Sequence, residues 1–336
     1  MPHHRRCGIP TGLYNNLNIM NYQINTLVKM RNGDSTKRIT SLHWSVTLCL
    51  LAILLTAGFR VADDPAYREK IDAWHQERIT SLKSENGWLN LVGLVWLKAG
   101  KNALGRGSGF DVSFPTDDAP ASLGTLYLDK GEVRFVPNQG VDVSADGKVL
   151  TESTVVFSPN DKPATLAHGS LRWLIIKRGD KYGVRMRDLK SPYLSEFHGV
   201  NRFPVDESWQ VKARVETPSV PKTIPILDVL GLTSQQPLAG TLVFERAGKT
   251  YRLDAVGEGK KLFILFGDAT NAHDSYGSGR FLYADKPGPD GITTLDFNQA
   301  INPPCAFTPY ATCPLPPKQN KLALAVTAGE KRYGDH

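Results

Sequence analysis

The sequence predicts a mainly β protein: antiparallel sheets in a barrel or sandwich, one amphipathic helix ahead of them, and a proline-rich loop near the end closed by a disulfide. Three observations carry that expectation. Short runs alternate apolar and polar residues over most of the chain, Gly and Asp turn signals separate the runs, and helical spacing is confined to one stretch. The proline-rich stretch holds two cysteines among six prolines within Leu295–Asn320, LDFNQAINPPCAFTPYATCPLPPKQN. Proline fixes φ and removes a donor, so this segment is expected to be an ordered loop held by its own chemistry.

Residues 1–58 are read as a leader. Lys37 and Arg38 precede Ser45–Phe59, SVTLCLLAILLTAGF, the basic, apolar, small-residue layout of a secretory signal, with cleavage expected after Gly58. An uncleaved anchor is the alternative, although the run is short for a span of ~20 residues. A start at Met30 gives a leader of ordinary length. The expected location is therefore extracytoplasmic, periplasmic or envelope-associated, with membrane contact only through a retained leader. The leader carries six bases and one acid, so the net charge of +7 falls to +2 for residues 59–336, which hold 34 bases and 32 acids. The basic whole-chain balance is thus no sign of a nucleic-acid partner. Cys7 and Cys49 leave with the leader. Cys305 and Cys313 remain in an oxidising compartment with seven residues between them, where a disulfide would contribute about 2.6 kcal/mol. A pair of buried free thiols is the alternative.

Residues 59–336 are expected to form one β-rich domain, or two lobes with a soft boundary near 216–223, where TPSVPK interrupts the strands. Asp63-Asp64-Pro65 is a helix start, and Tyr67, Ile71, Trp74 and Leu82 recur at helical spacing, which predicts a helix from Pro65 to Ser84. Trp88–Leu97 is continuously apolar and is expected to be buried on both faces. Gly100–Gly109 reads as a turn. Ser122–Leu128 and Glu132–Val136 flank a hairpin turn at Asp129-Lys130-Gly131, and Gly179-Asp180 separates Leu171–Lys177 from Tyr182–Arg187. Further strands are predicted at Trp209–Val215, Gly240–Glu245, Thr250–Ala255, Lys261–Phe266, Arg280–Tyr283, Thr293–Phe297 and Leu322–Val326.

GWLNLVGLVWLKAGKNALG, FHGVNRFPVDESWQVKARV, FGDAT with SYGSGRFL, and the tail LDFNQAINPPCAFTPYATCPLPPKQNKLALAVTAGE together resemble a bacterial family known as domain of unknown function 1684. The likeness runs over about Ala66–Glu330. The resemblance implies an exported protein or lipoprotein and brings no activity. Phe59 stands where a lipoprotein relative would carry the acylated cysteine.

Candidate chemistry lies in the second half. If the strand at Lys261–Phe266 persists, Asp268 and Thr270 continue the face of Leu262, Ile264 and Phe266, and Asp296 with Asn298 shares one face of the later strand. With Tyr276 and Arg280 between them in sequence, they are expected to form a polar small-ligand site under the proline loop. Catalytic roles fall to Asp268 and Asp296 as general-base candidates on water and to Arg280 for the developing anion, a cofactor-independent hydrolase. Thr270, Tyr276, Asn298, His198 and Tyr310 are ligand-binding candidates. Each has a structural alternative: Asp268 and Asp296 as turn caps, Arg280 as a fork for a carboxylate, His198 as a hydrogen-bonded scaffold residue, Tyr310 and Phe307 as loop packing. Arg185 and Arg187 alternate with Val184 and Met186 and read as a solvated face. The other function classes are a non-catalytic envelope module binding a glycan or protein, and an architectural protein. No G-x-S-x-G, H-E-x-x-H or nucleotide-cradling glycine motif occurs, and the histidines are scattered, so neither cofactor nor metal is expected.

Overall fold

The computed structural model describes residues 64–334; the leader, Phe59, Cys7, Cys49 and His336 lie outside them. Helix α1 (Pro65–Lys83) starts as expected: the Asp64 carboxylate accepts the Ala66 N–H at 3.0 Å and Pro65 occupies the first turn, where no donor is lost. Its buried stripe is Tyr67, Ile71, His75 and Leu82. His75, at i+4 from Ile71, takes the place expected for Trp74, which is only half-buried. His75 Nε2 lies 3.1 Å from the Val200 carbonyl, which can only accept, so that nitrogen carries the proton.

Eleven strands follow: β1 (Leu91–Trp96), β2 (Gly100–Arg106), β3 (Val112–Phe114), β4 (Ser122–Asp129), β5 (Glu132–Pro137), β6 (Ser144–Ala145), β7 (Lys148–Val149), β8 (Thr154–Phe157), β9 (Leu166–His168), β10 (Leu171–Arg178) and β11 (Lys181–Asp188). They form a six-stranded sheet of order β1-β11-β10-β9-β6-β7 and a five-stranded sheet of order β3-β2-β4-β5-β8. All pairs are antiparallel except β2 with β3. The β4–β5 hairpin turns on Lys130 (φ 46°) and Gly131 (φ 88°), two successive left-handed residues that match the right-handed strand twist. The first core lies between these sheets, with Trp173 edge-on to Phe114 at 5.3 Å and to Phe135 at 6.1 Å. Burying each such side chain contributes about 1.5–3 kcal/mol. The stretch read as a turn at Gly100–Gly109 is instead largely strand, because β4 pairs with it from Gly100 to Gly105.

After a short helix α2 (Pro192–Ser195), the second half contributes β12 (Gln210–Glu216), β13 (Thr223–Leu227), β14 (Thr233–Arg246), β15 (Lys249–Glu258), β16 (Lys261–Phe266), β17 (Arg280–Asp285) and β18 (Ile292–Asp296). Six pair in the order β17-β16-β15-β14-β12-β18, with β13 on the outer half of β14. The Thr293 hydroxyl donates to the Asp285 carbonyl at 2.8 Å, bringing β18 back to β17, so the sheet nearly closes into a barrel. Its core holds Trp209, Phe244, Phe266, Phe297 and Leu295. The TPSVPK segment connects β12 to β13, and both strands pair with β14. The fold is therefore mainly β and antiparallel, with two helices among the described residues.

Two expectations for the carboxyl-terminal region are corrected. Cys305 and Cys313 are free thiols, so no disulfide closes the loop. Cys305 N–H donates to Cys313 Sγ at 3.1 Å, and the loop is held by backbone pairing instead: Val229 N–H to Cys313 O at 3.0 Å, Leu315 N–H to Leu227 O at 2.7 Å, and both bonds of the Phe281–Ile301 bridge at 2.9 Å. Leu322–Val326 is irregular rather than strand. Its donors go to a loop carbonyl, Leu322 N–H to Gly267 O, and to a side chain, Val326 N–H to Asp268 Oδ1, so no ladder forms.

Candidate functional site

The residues expected to converge occupy two separate networks. Arg280 opens β17 with its side chain fully buried. Its Nη2 donates to Asp268 Oδ2 at 2.9 Å and to Val326 O at 2.8 Å, while Nη1 donates to the carbonyls of Ala328 and Glu330. Burial lowers the Arg280 pKa and Asp268 opposes that shift. Because the strand stops at Phe266, Asp268 sits in a turn, where its Oδ1 accepts the Thr270 N–H at 2.8 Å, the Thr270 hydroxyl at 2.6 Å and the Val326 N–H at 3.2 Å. With Arg280 on the other oxygen, the carboxylate has four donors and no exposed surface. Gly279, at φ 93°, lets the chain entering β17 pass close against β16: a Cβ there would meet Phe266 O at 2.5 Å.

Asp296 caps the short 3-10 turn Phe297–Gln299. Its Oδ1 accepts Tyr67 Oη–H at 2.8 Å and Asn298 N–H at 3.1 Å, and Oδ2 accepts Gln210 Nε2–H at 3.3 Å. Asn298 Nδ2 donates to Tyr67 Oη and to Asp206 O. Burial, then the Asp296 contact, pushes the Tyr67 hydroxyl far above its ordinary value. Among the described residues no hydrogen bond or ion pair joins this network to the Asp268–Arg280 pair. Tyr276 is half-buried, its hydroxyl pKa raised chiefly by burial, and its carbonyl accepts Asn271 Nδ2–H at 3.0 Å. His198 is exposed. Tyr310 packs half-buried against the cluster of Leu91, Phe281 and Cys313.

A different cavity, of about 300 Å³, lies under the cysteine loop, where β10 and β11 of the first half face β15–β17 of the second. Arg178 and Arg185 line it together with Thr312 and Cys313 of the loop, and Trp88, Phe263, Phe281 and Tyr283 supply aromatic walls. Thr312 Oγ1 accepts from Arg178 Nε at 3.0 Å and from Arg185 Nη2 at 3.4 Å. Arg185 Nε is buried without an acceptor. Among the described residues no carboxylate pairs with Arg178, Arg185 or Arg187. Arg185 and Arg187 each stand 5.6 Å from the Trp88 ring. Burial first, then the like charges of Arg178 and Arg187, lowers the Arg185 pKa to about 10, so it remains a cation at neutral pH. Arg78, across the cavity, is paired with Glu330 at 3.1 Å. At the cavity wall the thiol pair divides: the hydrogen bond with Cys313 lowers the Cys305 pKa, and the same contact with burial raises that of Cys313.

A larger hollow of about 880 Å³, walled by Pro225, Leu227, Leu315 and Pro316, borders Asp268. The Asp268 carboxylate is turned away from it into Arg280 and has no exposed area, so the acid expected to act there is not offered to this hollow. The smaller cavity is the candidate site. Alternation alone puts Arg185 and Arg187 on a solvated face, and sequence reasoning misses Arg178, Thr312, Trp88 and Arg78 as site residues. A signal was present: folding the hairpin about Gly179-Asp180 sets Arg172 opposite Arg187 and Arg178 opposite Lys181, and like charges in register are unfavourable unless something offsets them.

The family described as Protein of unknown function (DUF1684) matches residues 195–331. An uncharacterised protein of Haloarcula marismortui, solved by solution NMR, is similar at 34% identity, covering 42% of this chain and 80% of that one, with a TM-score of 0.36. No curated protein matches the chain.

Proposed function

Because residues 195–331 are a domain of unknown function 1684, a family that brings no activity, we propose from the geometry that the protein binds a small organic anion, head first, at Arg178, Arg185 and Thr312. The observation that carries this is Arg185, a largely buried guanidinium with no carboxylate partner and an Nε lacking any acceptor, on the wall of a cavity. An unpaired buried charge costs several kcal/mol, and a ligand carboxylate or phosphate offers the charge-assisted bonds that offset it. Binding is favoured over hydrolysis, because of the carboxylates expected to activate water Asp268 is fully buried with four protein donors, and Asp296 is buried with protein donors on both oxygens. An extracytoplasmic setting belongs to the proposal and is supported by the leader-like residues 37–59.

Arg185→Met tests it, since Met keeps the stem and removes the charge. For an arginine retained for a ligand, apo stability stays level or rises and the anion-induced rise in Tm disappears. A loss of about 3 kcal/mol or more with the anion response intact would make Arg185 a structural residue.

A further inference from the structure

We infer that the occupant of this cavity is a one-ring aromatic monocarboxylic acid, its carboxylate on Arg178 and Arg185 and its ring end, neutral or hydroxylated, toward Glu258. The inference rests on the anion-binding reading above. Three features narrow the class.

The first is the head. Two guanidiniums share the Thr312 hydroxyl oxygen as acceptor, which leaves the Thr312 proton free to act as a third donor beside them. A carboxylate fits such a fork in two-point fashion. The second is the wall. Phe263 meets Phe281 edge-on at 5.0 Å and stacks with Tyr283 at 5.0 Å and 26°, so the three rings pack into one continuous aromatic wall of the cavity. A flat ring gains face and edge contacts against such a wall that a puckered aliphatic ring does not. About 300 Å³ corresponds to about ten waters, room for one ring and its acid group. The third is charge at the mouth. Glu258 lines the cavity and is exposed, and, after burial, its charge helps raise the pKa of the neighbouring Tyr283 hydroxyl. A second negative group at the far end of the ligand would face that carboxylate, whereas a ring hydroxyl would donate to it. Glu258 thus disfavours a second negative charge at its end of the site.

The test is calorimetric titration of the folded full chain with benzoate, 4-hydroxybenzoate, terephthalate, cyclohexanecarboxylate and inorganic phosphate, repeated on Arg185→Met and Glu258→Gln. Expected are one site per chain for benzoate, about threefold tighter binding of 4-hydroxybenzoate, and about tenfold weaker binding of cyclohexanecarboxylate. Terephthalate should bind at least about tenfold more weakly than benzoate and recover in Glu258→Gln, because the exposed rim carboxylate is then neutral. Equal binding of cyclohexanecarboxylate and benzoate overturns the aromatic assignment. Saturable phosphate binding, lost in Arg185→Met, with no aromatic acid bound, overturns the class while the anion site stands. No response to any of these anions, with Arg185→Met destabilised, overturns both.

Discussion

Arg280→Met separates a structural arginine from a functional one. Methionine keeps an apolar stem beside Phe266 and Phe203, whose ring centres lie 5.3 and 5.9 Å from the guanidinium carbon. The substitution leaves the fully buried Asp268 carboxylate without its countercharge and removes the donors to three carbonyls, those of Val326, Ala328 and Glu330. Breaking one side of a buried ion pair costs about 3–5 kcal/mol, and an orphaned carbonyl about 1–3 kcal/mol. These losses overlap, so about 5 kcal/mol is expected in total, which at a urea m-value of about 2.5 kcal/mol/M lowers the midpoint by about 2 M. Urea titration followed by tryptophan fluorescence measures it. The companion variant, Arg280→Met with Asp268→Asn, removes the stranded charge yet keeps an acceptor for Thr270 and Val326, so it should lose about 2 kcal/mol less than the two single losses summed. A single-variant loss under about 1.5 kcal/mol, or strict additivity, would refute the view that this pair is part of the framework.

Other expectations follow from the same geometry. Asp296→Ala should cost about 2 kcal/mol by stranding Tyr67 and Gln210, without changing anion affinity at Arg185, and a change in affinity would show the two regions to be coupled. His75 has its pKa lowered, first by burial and then by Arg202 and Arg78 against the opposing Glu330. Its neutral form is therefore the folded one: its contribution is complete above the unfolded value of about 6.5 and is lost as pH falls through the folded value, so acid unfolding should be shallower in His75→Gln, and an unchanged acid limb would remove His75 from the account. Alkylation of denatured, unreduced protein should label both Cys305 and Cys313 within one peptide, and an unlabelled, bridged peptide by mass spectrometry would overturn the free-thiol assignment.

Much of the fold was legible because alternation reports burial directly. Lys261–Phe266 has the predicted bounds, and the two hairpins turn where Lys130-Gly131 and Gly179-Asp180 place them. Strands β2 and β13 were not legible: β2 opens on glycine and gains its identity from β4, and β13 carries Pro225, which an edge strand tolerates. The tail misled in the opposite sense, since Leu322–Val326 alternates like a strand but spends its hydrogen bonds on a loop and a carboxylate. Site residues failed for a related reason. Extending alternation past Phe266 aligned Asp268 with Thr270 on paper, but the strand ends there and Asp268 folds back onto its own turn. Arg178 and Thr312 are 134 positions apart, and only the completed fold puts one beside the other.

The carbonyls that hold Arg280 come from Val326, Ala328 and Glu330, and Glu330 also holds Arg78 and the Asn302 amide. A ribosome delivers those residues about fifty positions after Arg280 itself. The nascent barrel must therefore wait with an arginine whose proper company has not been synthesised. Prematurely terminated chains ending before residue 326 should fail quality control as a group, however complete their strands.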